Sequence, residues 1–246
     1  MMIEVVILII VLAVIAAVVL IPKGAAVDNV VSIQPSGDTL QLMTVPDSPL
    51  AFGYKCMWFA VKTDDKDGVA EALGFKSTMA CNWEYGIAQA YGKSVYITPA
   101  IGTWTLAVGW GLPHGDSKES IEKVKSLADK LSERFGEAQF FGTHRVVEYH
   151  CWLKSVGGKT ERLYSYSGES GENLAVEGGP TVFEKQYNLV NTLAAEAQSE
   201  GHYDREDLDY PDEEMVMKLA GAWSINPQLI ENNDNIKGLG LVGTLK

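Results

Sequence analysis

His144, Glu148 and His150 are the residues whose types come closest to a metal-binding or catalytic set. They fall within residues 144–154, whose composition indicates one long strand, so alternation places all three on one face. At a rise of about 3.3 Å per residue, His144 and Glu148 would lie roughly 13 Å apart, too far to share an ion. Glu148 and His150 would lie about 7 Å apart, which permits a shared ion. The spacing favours a polar pair on a sheet face over a metal site.

Other motifs in the chain do not meet the requirements of a recognised chemistry. The glycine-rich loop 168–172 carries two glutamates that would repel phosphate, and Ser170 lacks the flanking glycines of a hydrolase elbow. The acidic run 204–209 lacks the central glycine and the final glutamate of an EF-hand loop. His114 precedes a helix, where a turn is favoured and a functional loop is the alternative. We therefore predict no catalytic, cofactor-binding or metal-ligating residues.

Two groups of side chains are candidates for contact with a protein partner. An acidic, solvated group comprises Asp204, Glu206, Asp207 and Asp209. The second group alternates onto one face of a predicted strand and comprises Arg162, Tyr164 and Tyr166. The alternative for the second group is that helix 117–135 covers this face.

The charge of the chain bears on the class of partner. The formal net charge is −12 at neutral pH, which disfavours nucleic acid and anionic headgroups and favours a basic protein. The alternative is that the acidic surface only keeps the domain soluble. The odd number of cysteines, without a close pair, indicates buried thiols and favours a reducing compartment.

An apolar run, residues 5–21, dominates the start of the chain. A helix of that length spans roughly 25 Å, enough to cross a bilayer core. Residues 1–23 are therefore predicted to be a single transmembrane anchor in contact with lipid. A cleaved signal peptide is the alternative, although no basic segment precedes the run. Lys23 favours a cytoplasmic location for the rest of the chain.

The remaining elements predict an α+β domain. Residues 24–54 contain several glycines and prolines, which indicates a tether. Residues 55–230 are predicted to form the acidic domain, and residues 231–246 a flexible tail. Buried strands are expected near 56–61, 78–83, 94–98 and 104–109, followed by an amphipathic helix at 117–135. A hairpin turn at Gly157-Gly158 and a helix from Thr181, extending into 188–203, come next. This order predicts an antiparallel sheet with helices on one side.

Three stretches resemble segments of uncharacterised bacterial proteins, some of which are similar to immunity proteins of polymorphic-toxin systems. They are residues 144–152, residues 162–177 and the Ala220-Gly-Ala-Trp-Ser-Ile-Asn-Pro227 motif. The resemblance implies a protein that neutralises a toxin by binding it, and it brings no catalytic residues.

These features predict a membrane-anchored, non-enzymatic binding protein. One form of this prediction is an immunity-type protein that neutralises a basic partner. Two alternatives stay open. One is a structural subunit of a membrane-associated complex. The other is an anchored enzyme with a non-standard site near His114, His144 or His150.

Overall fold

A computed structural model describes residues 43–246 and confirms the α+β class. Within these residues, nine strands form one sheet: β1 (Cys56–Val61), β2 (Phe75–Cys81), β3 (Val95–Ile97), β4 (Thr105–Val108), β5 (Glu137–His144), β6 (Tyr149–Val156), β7 (Lys159–Ser167), β8 (Glu172–Glu177) and β9 (Gly240–Leu245). The described part also contains four α-helices: α1 (Lys66–Leu73), α2 (Trp83–Ala90), α3 (Lys118–Phe135) and α4 (Glu213–Trp223).

The sheet is antiparallel throughout, as expected, with the strand order β2-β9-β3-β4-β1-β5-β6-β7-β8. Strand β1 lies in the middle and is buried at every position. Its residues alternate between two hydrophobic cores, with Trp58 in one and Phe59 in the other. The unbroken apolar run of β1 is thus explained by burial on both faces of the sheet.

The prediction that all helices lie on one side of the sheet is wrong. Helices α1 and α3 pack on the face that carries Phe59, whereas α2 and α4 pack on the face that carries Trp58. A strand with two apolar faces exposes both to water unless each is covered, so helices are required on both sides. We call the face covered by α2 and α4 the Trp58 face, and the other the Phe59 face.

Helix α3 agrees closely with its predicted bounds. The Ser117 hydroxyl accepts a hydrogen bond from the Ser120 amide at 3.2 Å and caps the helix, and Gly136 follows its last residue with a positive φ of 88°. The side chains of Val124 and Leu131 are fully buried. Helical spacing therefore identified the buried face correctly.

Helix α2 was not predicted, and its position corrects the proposed tether. The predicted strand 78–83 ends at Cys81, and α2 begins at Trp83. The Asp47 carboxylate accepts hydrogen bonds from the backbone amides of Trp83 and Glu84 at 2.7 and 2.9 Å. Phe52 is also buried in the core of the Trp58 face, so residues 43–54 belong to the domain. The rest of the tether, 24–42, lies outside the described residues.

The proposed flexible tail is wrong as well. Residues 240–245 form β9, which pairs with β2 and β3 inside the sheet. Glycine at position 243 lets the backbone of β9 lie close to that of β2, because a Cβ atom there would lie 2.3 Å from the carbonyl oxygen of Ser77. A strand rich in glycine has a weak local signal, and its pairing partners are distant in the chain.

Two further elements differ from their predicted form. The long strand 144–154 is two strands, because a turn at 145–148 separates β5 from β6. The helix predicted from Thr181 into 188–203 is replaced by three short 3₁₀-helices at Glu184–Gln186, Ala195–Gln198 and His202–Asp204. The hairpin at Gly157-Gly158 is confirmed, with positive φ at both glycines.

Among residues 43–246 no helix combines the length and the apolar content needed to cross a bilayer. The predicted anchor, residues 1–23, lies outside the described part of the chain.

Candidate functional site

The candidate site is built on a row of three residues that neighbouring strands place side by side. In the register of the sheet, Thr143 of β5 lies opposite His150 of β6, which lies opposite Tyr166 of β7. The Thr143 hydroxyl and the Nδ1 atom of His150 are 3.0 Å apart and share a hydrogen bond. His150 is only 3% exposed. The row lies on the Trp58 face, at the end of the sheet where β5 turns into β6.

A cavity of about 640 Å³ opens above this row. The β5–β6 turn contributes Arg145 and Glu148, and the start of α4 contributes three consecutive carboxylates. The full lining is Tyr54, Arg145, Glu148, His150, Tyr166, Tyr210, Pro211, Asp212, Glu213 and Glu214. We call this cavity the tyrosine–carboxylate cavity.

The charge of the cavity is strongly negative. Four carboxylates line it against the single guanidinium group of Arg145. The positive end of the α4 dipole does not reverse this balance, since it amounts to about half a charge and faces three acidic side chains. Asp212 already caps α4 by accepting a hydrogen bond from the Met215 amide at 2.7 Å. The site therefore attracts cations and repels anions.

The imidazole of His150 is neutral at physiological pH. Burial lowers its pKa to about 4, because water no longer stabilises the charged ring, although the negative charge of Asp212 opposes this shift. The pKa of Tyr166 is raised by burial and by the neighbouring Tyr210, Glu148 and Tyr203, so its phenol stays protonated. The floor of the cavity is thus polar and uncharged.

Two polar side-chain atoms of the lining residues lack partners among the described residues. The carboxylate oxygen Oε1 of Glu213 is buried without a hydrogen bond in residues 43–246. His150 uses Nδ1 for Thr143, and its Nε2 atom makes no hydrogen bond to any described residue. Polar atoms of a buried residue are normally paired, so the free ring nitrogen of His150 marks a position that a ligand can complete, whereas Oε1 of Glu213 is too deeply buried to be reached from the cavity.

Exposed apolar and aromatic side chains surround the mouth of the cavity. Tyr54 and Tyr210 line it, and Val146 and Val147 occupy the turn between its lining residues Arg145 and Glu148. All four are at least 40% exposed. Tyrosine-rich rims around a recess are typical of protein-binding surfaces. Tyr54 and Glu148 also have positive φ values of 41° and 48°, a conformation that often marks functional positions.

The structure brings only one of the predicted aromatic partner residues to this cavity. Arg162, Tyr164 and Tyr166 do share one face of β7, but Arg162 and Tyr164 are 5% and 1% exposed. They are covered by the segment that contains Glu184 and Val190, rather than by α3, which packs on the Phe59 face. Arg162 and Tyr164 are therefore too buried to form an exposed binding surface in this structure, whereas Tyr166 lines the cavity.

The acidic group 204–209 is divided. Asp204 and Glu206 are exposed. Asp207 forms an ion pair with Arg205 at 2.6 Å, and Asp209 accepts a hydrogen bond from the Asn188 amide at 2.7 Å. None of the four lines the tyrosine–carboxylate cavity, although Tyr210, the residue that follows Asp209, does.

The prediction that His144, Glu148 and His150 share one face of a strand is wrong, because the turn at 145–148 interrupts it. His144 lies on the Phe59 face, where its ring and that of His114 both pack edge-on against Trp110 at centroid distances of 5.4 and 5.1 Å. In the described part of the chain, no group of three metal-ligating side chains is suitably arranged for an ion.

Comparison with known proteins adds no relative. No family model, no curated protein and no solved structure matches the chain. The function is therefore inferred from the site. Its acidic strip, Asp212-Glu213-Glu214, lies at the start of α4, and nothing in the local sequence indicates that it faces His150.

Proposed function

We propose that this chain is a membrane-anchored binding protein, of the immunity type, whose domain binds a basic protein through the tyrosine–carboxylate cavity and its rim. The observation that carries the proposal is the lining of the cavity, in which four carboxylates and three tyrosines surround a neutral histidine. Desolvated tyrosines supply contact area in protein interfaces, and acidic groups select a partner of opposite charge.

The net charge of −12 supports the same proposal at longer range. An acidic surface speeds the diffusional encounter with a basic partner, and salt screens that attraction. Asp204 and Glu206, although outside the cavity, contribute to this steering because they are exposed. The residues that contact the partner and those that steer it are thus different sets.

An enzyme is the second candidate, favoured by one observation. His150 presents a ring nitrogen to a cavity that also contains carboxylates, as a general acid or base would. A pKa of about 4 makes the ring a weak base at neutral pH, where proton transfer works best with a pKa near the working pH. The binding proposal therefore ranks first.

The test compares two variants that remove the same charge. The full-length chain, in non-ionic detergent, first captures a partner, whose association rate and affinity are then measured with purified components at two salt concentrations. The double variant Glu148→Gln/Glu214→Gln should slow association and weaken binding at least tenfold, a loss of about 1.4 kcal/mol. The control Glu122→Gln/Glu133→Gln changes exposed residues of α3, on the opposite face, and should leave affinity within twofold.

Equal losses in the two double variants would show that overall charge, rather than the cavity, governs binding. Binding that is insensitive to salt and to both variants would contradict the proposal. Loss of biological activity in His150→Gln with unchanged binding would support the enzyme instead.

A further inference from the structure

We infer that the tyrosine–carboxylate cavity receives the guanidinium group of a single arginine side chain from the partner, with Nε2 of His150 as one hydrogen-bond acceptor. This inference rests on the proposed function and specifies the chemistry of its site. Three properties of the cavity support it: an unpaired ring nitrogen at its floor, negative charge at its walls, and tyrosine rings around both.

The acceptors match what a guanidinium group requires. Arginine carries five N–H donors and no acceptor, so it is best held where acceptors are in excess. When Nδ1 of His150 donates to the Thr143 hydroxyl, the lone pair of Nε2 is left for the ligand. The exposed carboxylates of Glu148 and Glu214 in the cavity lining provide further acceptors.

The aromatic walls favour arginine over lysine. Tyr166 and Tyr210 have their ring centroids 6.0 Å apart at an interplanar angle of 64°, and Tyr54 lines the same cavity. The planar, weakly hydrated guanidinium group stacks on such rings, whereas an ammonium group is more strongly hydrated and has three donors. A lysine is expected to bind the same cavity more weakly.

Other ligand classes fit less well. An anion would meet four carboxylates, and the Met215 amide at the start of α4 is already bonded to Asp212. A metal ion would need a compact set of ligands, which residues 43–246 do not form here. A neutral ligand would leave the negative charge uncompensated.

Arg145 acts as a competitor within the chain. Its side chain is exposed at the cavity and makes no ion pair or hydrogen bond with the described residues, although four carboxylates share the same lining. An unpaired guanidinium group lowers the net attraction of the cavity for a second cation. Its removal by Arg145→Gln should therefore tighten binding of an arginine ligand.

The experiment titrates the full-length chain in detergent micelles with N-acetyl-arginine-N-methylamide, and the imidazole NMR signals of His150 report binding. Matched ligands are the corresponding derivatives of citrulline, which is uncharged but nearly isosteric, and of lysine. We expect a saturable shift with the arginine derivative, a weaker response with lysine, and none with citrulline. Glu148→Gln should lower the affinity for the arginine derivative at least threefold, and Arg145→Gln should raise it. The control Glu133→Gln should leave the affinity unchanged.

The outcomes separate this inference from the proposed function. If the captured partner depends on Glu148 and Glu214 but the arginine derivative leaves His150 unshifted, the arginine inference is wrong and the binding function stands. If citrulline binds as tightly as arginine, the cavity does not recognise charge and the inference is again wrong. A response to arginine without any effect of the cavity variants on partner binding would contradict the proposed function instead. Because Glu148 is exposed, its variant should fold normally and keep the test decisive.

Discussion

At the scale of single residues, the most demanding feature is a buried ion pair beneath the segment that covers β7. The Arg162 Nη2 atom lies 2.7 Å from Oε1 of Glu184, and both side chains are almost fully buried. Trp152 Nε1 donates to the same oxygen, and Thr181 donates to Oε2 through its amide and hydroxyl. Every charge in the group is thereby paired, which is the condition for keeping charges inside a protein.

The first prediction concerns this group. Glu184→Ala would leave the Arg162 guanidinium and the Trp152 indole without their acceptor in a buried environment. We expect the free energy of unfolding to fall by about 3–5 kcal/mol, measured by denaturant titration. Glu119→Gln breaks an exposed ion pair with Lys123 on α3 and serves as the control, with a change within experimental error. Similar midpoints for both variants would contradict the assigned role of Glu184.

The same group predicts a pH dependence. Burial raises the pKa of Glu184, but the hydrogen bonds and charge of Arg162 and the hydrogen bonds of Thr181 outweigh it, and the net pKa lies below the ordinary 4.5. Stabilisation by this carboxylate is therefore present above pH 4.5 and lost as the pH falls through the folded-state pKa. The stability difference between the wild type and Glu184→Gln should shrink between pH 7 and pH 3. A constant difference would show that ionisation of Glu184 does not stabilise the fold.

At the scale of elements, α3 stabilises the sheet through one face only. Leu131 is fully buried against the Phe59 face, whereas Lys130, one residue earlier, is exposed. Leu131→Ala should lower the free energy of unfolding by about 2–5 kcal/mol, because it removes buried methyl groups and leaves a cavity. Lys130→Ala should change it by less than about 0.5 kcal/mol. Equal effects in thermal or denaturant unfolding would mean that the buried face is misassigned.

Strand β9 offers a second test at this scale. A Cβ atom at Gly243 would meet the Ser77 carbonyl oxygen at 2.3 Å, so Gly243→Ala must displace β9 from β2. We expect a loss of about 1–3 kcal/mol and faster amide exchange in both strands. Gly179→Ala is the matched control, since nothing lies within 4 Å of its Cβ position and its φ is not positive. Unchanged exchange in Gly243→Ala would argue against the pairing.

At the scale of the whole molecule, the apolar run 5–21 and the acidic domain predict different partners for the two ends of the chain. Full-length protein should remain in the membrane fraction after alkaline carbonate extraction, because an apolar run of this length, which would span about 25 Å as a helix, favours the bilayer core. A chain that starts at Val27 should be released. Recovery of the intact full-length chain in the supernatant would disprove the anchor, and a mature protein that begins near Val27 would show cleavage instead.

Local sequence signals determined several elements of this protein. The apolar run of β1, the helical spacing and serine cap of α3, and the Gly157-Gly158 hairpin each depend on residues that are close in sequence. Caps, periodicity and turn glycines act within a few residues, so a pattern is enough to detect them. The antiparallel α+β class followed from these elements, and the acidic charge followed from composition alone.

Tertiary structure decided the rest, because the relevant contacts join distant residues. Asp47 completes the start of α2, and the glycine-rich β9 gains its order from β2 and β3. The candidate site is the clearest case, since its lining comes from position 54, the β5–β6 turn, β6, β7, and the start of α4 with the residues just before it. Packing on both faces of the sheet buries Arg162 and Tyr164 but leaves His150 at the floor of an acidic cavity. Alternation predicted that Arg162, Tyr164 and Tyr166 share one face of a strand, and only the covering segments determined which of them a ligand can reach.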